Sequence, residues 1–298
     1  MKRLTPFSYF EPATLAEAVE ILSGSKEKAY LLAGGTDLLI RMKRGEIAPP
    51  ALVNLKRISG LSSIEREGQS GIRIGALTTI AEIEHSSALR ASHTLMAEAA
   101  TALGSPSIRN LATLGGNIGR ASPASDMAPS LIVLKARLNI SGPRGNKQVG
   151  LESFFTGPGT TILQPGELIT SVFLPDPAAR SGAAYLKLGR GGGMDCALGC
   201  VAIFLTLGNT DTEVKEVLVA VGACSAIPMR ANKTEALILS GSLTDGHIQE
   251  AAMAVAAETS PITDLRASES YRRQMVQVLF SRALKLSWSR ARSSKDTH

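Results

Sequence analysis

The sequence predicts an α+β protein of two domains, and three observations carry that reading. The chain has 298 residues, 44% hydrophobic and 19% charged, enough apolar material for more than one core. Its first half alternates short strand-like and helix-like runs, whereas its second half places three strand-like runs before three helix-like ones. Between the halves stands Pro175-Asp176-Pro177, two prolines in a polar break and the best boundary in the chain.

The elements follow in order. Phe7 to Pro12 reads as extended. Thr14 and Glu17 form a capping box for a helix through Leu22, ended by Gly24. Tyr30 to Ala33 is a short strand. Thr36 or Asp37 caps the next helix, which Gly45 stops, and Leu52 to Leu55 is a strand after Pro49-Pro50. Ile64 and Ile72 to Ile74 flank Gly68-Gln69-Ser70-Gly71 as a hairpin. Thr79 and Glu82 form a second capping box, and Thr94 to Leu103 is an Ala-rich helix ending at Gly104. A helix begins at Asp126 and a strand lies near Leu138 and Ile140. Glycine-rich turns at 142–146 and 157–159 precede a strand from Glu167 to Leu174. Beyond the boundary, Ala183–Gly189, Ala197–Leu207 and Val214–Gly222 have strand composition, the last two joined by the turn Gly208-Asn209-Thr210-Asp211. Helical segments follow around Thr234–Leu239, Thr244–Glu258 and Ser268–Leu286.

Composition narrows the function. Aromatics are 4% and the net charge is +6, with basic residues scattered except near the C-terminus: Arg272, Arg273, Arg282, Lys285, Arg290, Arg292 and Lys295. A nucleic-acid site needs a basic stripe interleaved with stacking aromatics, so the cluster reads as a solvated helix face and tail, and no nucleic-acid partner is expected. Three cysteines, Cys196, Cys200 and Cys224, fit no disulfide framework and suggest a reducing compartment. Pro6, Glu11 and Pro12 interrupt any signal-peptide core behind Lys2 and Arg3. The longest apolar run, Cys196 to Leu207, is shorter than the roughly 20 residues that span a bilayer. The expectation is a soluble, cytoplasmic protein.

Two stretches carry chemistry. Ala112-Thr113-Leu114-Gly115-Gly116-Asn117-Ile118-Gly119 places side-chain donors beside adjacent glycines, and Ser125-Asp126 follows at a helix start. Glycines let backbone N–H groups approach a ligand, and amides near a helix N-terminus suit phosphate. Leu31-Leu32-Ala33-Gly34-Gly35-Thr36-Asp37-Leu38 repeats the punctuation. Taken alone, Gly34-Gly35 is better explained as a structural turn; the pair suggests one long phosphate-bearing ligand held at two points. There is no Walker A run, and Gly189-Arg190-Gly191-Gly192-Gly193 misses the Rossmann fingerprint because Met194 takes the last glycine position. Cys196 and Cys200 read as buried inert thiols, and His85, His93 and His247 lack ligand-spaced partners. No Gly-x-Ser-x-Gly elbow is present. Lys187, two residues after Tyr185, is either a solvated strand-edge lysine or a contact to a cofactor.

With Leu32 to Leu39 and Ala112 to Ile118, the Phe7–Pro12 segment, Tyr185-x-Lys187 and Asp195-x-Ala197, nearly the whole chain resembles the FAD-binding medium subunit of molybdenum hydroxylases, the family that includes xanthine dehydrogenase and carbon-monoxide dehydrogenase. The resemblance implies an FAD-binding domain of the PCMH type over 1–176, in subdomains of about 1–58 and 59–176. A C-terminal domain with a three-stranded antiparallel sheet and helices would cover 177–288, and 289–298 would be a tail. It implies that the 31–38 turn (Leu31, Leu32, Ala33, Gly34, Gly35, Thr36, Asp37, Leu38) and Ala112, Thr113, Gly115, Gly116 and Asn117 hold the pyrophosphate. Ser125 and Asp126 would lie near the adenosine ribose, Leu103 and Ile169 would give apolar contacts, and Lys187 would approach the isoalloxazine and favour an anionic reduced flavin.

The implied chemistry is electron transfer, with no catalytic side chain. Partners would be a molybdenum-cofactor large subunit and a small subunit with [2Fe–2S] clusters, in a dimer of heterotrimers, with NAD, a quinone or a ferredoxin as external electron partner. The 4-hydroxybenzoyl-CoA reductase branch carries a cysteine-bearing insertion for an extra cluster. Residues 118–138 contain no cysteine, so no metal is expected in this chain. A stand-alone FAD-dependent oxidoreductase of the same superfamily and a non-enzymatic scaffold are the competing readings.

Overall fold

The computed structural model describes residues 4–24, 29–191 and 195–294. Lys2, Arg3, Gly192 to Met194 and Lys295, singled out above, lie outside the described residues.

The chain opens with β1 (Ser8–Phe10), α1 (Leu15–Gly24), β2 (Ala29–Leu32), α2 (Leu38–Arg44) and β3 (Ala51–Asn54). The strands form a parallel sheet in the order β1-β3-β2. Parallel neighbours need crossovers, and α2 supplies the one between β2 and β3. Central β3 is buried throughout, as a strand with covered faces must be. Asn54 Nδ2 donates to Tyr9 Oη at 2.8 Å and fixes the neighbouring strand. Gly45 ends α2 in the left-handed region, φ 74°, with its N–H on the Arg41 and Met42 carbonyls. Thr36 and Asp37 do not cap that helix: the Asp37 side chain makes no cap hydrogen bond.

A second unit is built on an antiparallel sheet in the order β4-β5-β10-β6-β7, with β4 (Ile64–Arg66), β5 (Gly71–Gly75), β6 (Arg137–Gly142), β7 (Gly145–Gly150) and, after the small pair β8 (Phe155–Gly157) and β9 (Thr160–Thr161), β10 (Leu168–Pro175). Between β5 and β6 run α3 (Ile80–His85), α4 (Ser87–Ser92), α5 (Thr94–Ala102), α6 (Pro106–Arg109), α7 (Leu114–Gly119) and α8 (Met127–Val133). The Thr79–Glu82 box opens α3 in full. All of α8 is buried, as its mostly apolar sequence, interrupted by Ser130, favours.

The C-terminal part holds β11 (Ser181–Leu188), β12 (Gly199–Leu207), β13 (Val214–Gly222), β14 (Met229–Arg230), α9 (Asn232–Leu239), α10 (Asp245–Glu258) and α11 (Glu269–Ser293). The sheet has four antiparallel strands in chain order, not three. The fourth, β14, has two residues, too few to leave a pattern. Every residue of β12 is buried, and the period of two divides them. Val201, Ile203 and Leu205 join the core under the helices. Cys200, Ala202 and Phe204 join the core that α5 and α8 also line. Cys196 precedes the strand and is exposed, so it is not the buried thiol expected; Cys200 and Cys224 are buried. Burial pushes the Cys200 thiol up to about 12 and Cys224 to about 11, keeping both protonated.

The tail begins later than expected. Helix α11 continues to Ser293 because Ala291 is fully buried and Trp288 Nε1 donates to Asp211 O at 2.5 Å. Close packing of this helix on β11 needs Gly182, where a Cβ would lie 2.1 Å from Ser287 O. Two members of the basic cluster are not on a solvated face. Arg272 is 2% exposed and donates to Leu198 O at 2.7 Å and Asp264 at 2.8 Å. Arg290 pairs with Glu98 at 2.5 Å. Among the described residues no helix is long and apolar enough to cross a membrane.

His93, 2% exposed, ties the end of β10 to α5: Nε2 donates to Pro175 O at 2.9 Å, and Nδ1 accepts from Ser92 Oγ at 2.8 Å. Burial holds its pKa below 6.5, so the fold favours the neutral ring. A depressed histidine stabilises fully above its unfolded value, and that stability is lost as pH falls through the folded value. Thermal midpoints should therefore drop on acidification below about 6.5, and His93→Gln should flatten that limb; parallel wild-type and variant profiles would refute it.

Candidate cofactor site

The two glycine turns meet. A Cβ on Gly34 would lie 2.0 Å from Leu111 O and 3.0 Å from Ala112 Cα, so backbone lies on backbone there. A Cβ on Gly116 would be 3.7 Å from Ala33 Cβ, completing the contact from the other side. Gly35 has φ +74°, which carries the chain away from β2 before α2 starts. The second turn is held from beneath: Ile80 N donates to Ala112 O at 2.8 Å, Leu114 N to Thr78 O at 3.0 Å and Gly115 N to Ala76 O at 2.8 Å. Among the described residues, the backbone N–H groups of Gly35 and Thr36 meet no protein acceptor. Unclaimed amides beside a close backbone approach form a cradle for phosphate oxygens, and they fit a dinucleotide pyrophosphate.

Each sequence-predicted residue has a definite place. Thr113 Oγ1 accepts from Gly116 N at 3.2 Å, capping α7 and keeping its hydroxyl proton for another partner. Asn117 Oδ1 accepts from Ser125 Oγ at 2.6 Å, leaving its amide NH2 as donor. Ser125 Oγ in turn accepts from Ala128 N at 3.2 Å, so Ser125 and not Asp126 supplies the side-chain cap of α8. Leu32 is buried, Leu31, Ala33, Thr36 and Leu38 are half-buried, and Asp37 is exposed and paired with Arg120 at 2.9 Å. Leu103 and Ile169 lie in one core, Ile169 Cδ1 being 4.0 Å from where a Gly119 Cβ would sit.

Asp126 and Lys187 lie side by side. They were expected toward opposite ends of FAD, the ribose and the isoalloxazine, yet Lys187 Nζ donates to Asp126 Oδ2 at 3.0 Å. The cause is the course of β11, which runs against α5 and sets Lys187 beside the start of α8. Lys187 Nζ also donates to Ala102 O at 2.9 Å, and Tyr185 Oη donates to Asp126 Oδ1 at 2.8 Å. Burial raises the Asp126 pKa and the Lys187 ammonium opposes that rise. Lys187 is thus matched by a carboxylate.

Sequence reasoning gave no role to three residues here. Tyr185 shares a strand face with Lys187, which the i, i+2 spacing signals. Glu98 accepts from Tyr185 N at 3.0 Å across 87 positions, and nothing local announces it. Arg120 lies just beyond α7, and its partner Asp37 stands in the other turn.

The chain matches two family models. Residues 5–177 match the FAD binding domain in molybdopterin dehydrogenase, and residues 183–286 match the CO dehydrogenase flavoprotein C-terminal domain. The chain belongs to the FAD-binding subunit family of the molybdenum hydroxylases. It is similar to the carbon monoxide dehydrogenase medium chain of Hydrogenophaga pseudoflava, 33% identical over 284 residues, 95% of this chain and 98% of that one. It is also 33% identical, over 280 residues, to the glyceraldehyde dehydrogenase medium chain of Sulfolobus acidocaldarius, 94% of this chain and 97% of that one. The solved carbon monoxide dehydrogenase of Hydrogenophaga pseudoflava, in a form lacking the Mo-pyranopterin moiety, matches it with TM-score 0.93 and 33% identity, covering 97% of this chain and 99% of that one. As a member of this family the subunit is an oxidoreductase component, and its cofactor is FAD. Among the described residues no cluster of three or more His, Cys, Asp or Glu could hold a metal ion.

Two substitutions probe the site. Gly34→Ala should force the turns apart and cost the purified protein most of its flavin absorbance while leaving its circular dichroism intact; an unchanged flavin-to-protein ratio would contradict the contact. Asp126→Asn leaves the Lys187 ammonium buried without a counter-charge and should destabilise by about 3 kcal/mol in urea denaturation, whereas Asp126→Asn with Lys187→Met should recover most of it. Equal midpoints for wild type and the single variant would contradict the pairing.

Proposed function

We propose that this chain is the FAD-carrying electron-transfer subunit of a multi-subunit molybdenum hydroxylase, passing electrons between [2Fe–2S] clusters of a partner and an external acceptor or donor. The observation that carries the reading is the convergence of the two glycine turns, with Gly34 against Leu111–Ala112 and Gly116 beside Ala33. One turn ends a parallel strand and the other opens a short helix, so a ligand held by both crosses from one subdomain to the other.

The chain divides at about residue 176, with subdomains of about 1–58 and 59–176, and FAD lies across them. The amides of the Leu31–Leu38 turn and the Ala112–Asn117 turn hold the pyrophosphate, with the Thr113 hydroxyl and the Asn117 amide as side-chain donors. Leu103 and Ile169 cover apolar cofactor surface. The Asp126–Lys187–Tyr185 group closes one region of the site as a unit, because its charges are mutually matched. FAD supplies the redox chemistry, which joins one-electron and two-electron partners. The chain's own residues bind and orient the cofactor and exclude water; none is required as general acid or base.

The partners implied are a molybdenum-cofactor large subunit and a [2Fe–2S] small subunit, assembled as a dimer of heterotrimers. NAD, a quinone or a ferredoxin would serve as external electron partner. Pull-down from the native source, with metal and flavin analysis, should recover flavin, iron and molybdenum in one complex. A flavin-bearing chain that oxidises a substrate alone, with no iron or molybdenum partner, would favour the stand-alone oxidoreductase and refute the subunit reading.

A further inference from the structure

Arg120 stands between the two turns without an assigned part. Its backbone N–H donates to Gly116 O at 3.0 Å, which fixes it to the end of α7 and so to the second glycine turn. Its side chain crosses to the first turn, where Nε lies 2.9 Å from Asp37 Oδ2. Gly159 makes room for the guanidinium: a Cβ there would sit 3.2 Å from Arg120 Nη1, and φ is +74°, where side chains are disfavoured.

Asp37 is a liability in this position. It is a carboxylate two residues after Gly35, in a turn whose amides otherwise suit an anion, and like charges disfavour each other. Two cations face it. Arg41 lies 3.7 Å away and is shared with Glu46 at 3.7 Å, whereas Arg120 is the nearer and has no second carboxylate partner among the described residues. Both members of the Arg120–Asp37 pair are more than a third exposed, so the pair adds little to folding, and its contribution is to be sought in ligand binding.

We propose that Arg120 is a positioning residue for FAD: it neutralises Asp37 and ties the two glycine turns together, so that the turn amides meet the dinucleotide pyrophosphate without a competing carboxylate charge. The proposal rests on the assignment of those turns to the pyrophosphate. Arg41 alone does not replace Arg120, because it sits on α2, directly after the turn that holds Asp37, and cannot link that turn to the other.

Flavin titration of the full-length apoprotein, followed by fluorescence, tests this. Arg120→Ala should weaken FAD binding about fivefold, Arg120→Lys should keep most of the affinity, and Arg120→Ala with Asp37→Asn should bind more tightly than Arg120→Ala alone. Arg44→Ala, an exposed control cation paired with Glu46, should bind FAD as wild type does. A role confined to holding the fold would not be relieved by removing the Asp37 charge. Wild-type affinity in Arg120→Ala, or a double variant no tighter than the single one, overturns the proposal. If Arg120→Ala fails to fold, a lysine variant that folds but binds as poorly as Gly34→Ala overturns it as well. Should Gly34→Ala itself hold FAD as wild type does, the assignment of the turns fails, whatever Arg120 does.

Discussion

The arrangement depends on one close approach, the Gly34 backbone against the Leu111 carbonyl and Ala112. Any side chain at residue 34 would occupy the space of that carbonyl oxygen, so the contact exists only because the residue is glycine. It joins the end of a parallel strand to a loop that hydrogen bonds from Ala76, Thr78 and Ile80 hold in place. The separation of the two sets of amides follows from it, and so does the reach that Arg120 must cover. A dinucleotide is long and doubly charged at its middle; a site formed by two backbone segments in contact can grip that middle and leave both ends free for other surfaces.

The second constraint is electrostatic. Asp126 stands just before α8, Lys187 and Tyr185 come from β11, and the three side chains hydrogen-bond to one another through the Asp126 carboxylate. A buried carboxylate with an ammonium at 3.0 Å carries no net charge into the site. That pairing comes from the course of one strand, β11.

Much of the fold was legible in the sequence where the signals were local. Gly45 ended a helix, Thr79 and Glu82 opened another, and the turns at 68–71 and 208–211 made hairpins because the residues that set those conformations lie within a few positions of each other. The glycine turns were legible for the same reason. The Asp126–Lys187 pair was not, since 61 positions separate the partners and each residue has a good local explanation, as cap or as strand-edge lysine. Arg272 and Arg290 were misread as solvated because charge in a helix suggests water, whereas here they take buried carbonyls and a carboxylate. Strand β14 left no trace because two residues show no period.

The C-terminal sheet is covered on both sides, by α9 to α11 on one and by the core of the flavin-binding half on the other. Phe204, Leu218 and Ala220 share that second core with Leu131 and Met127. A gene split at the proline boundary would thus not yield two independent modules. Each fragment would carry a bare oily wall where the other belongs, and such walls seek each other or aggregate. The seam between the two family regions is part of the interior.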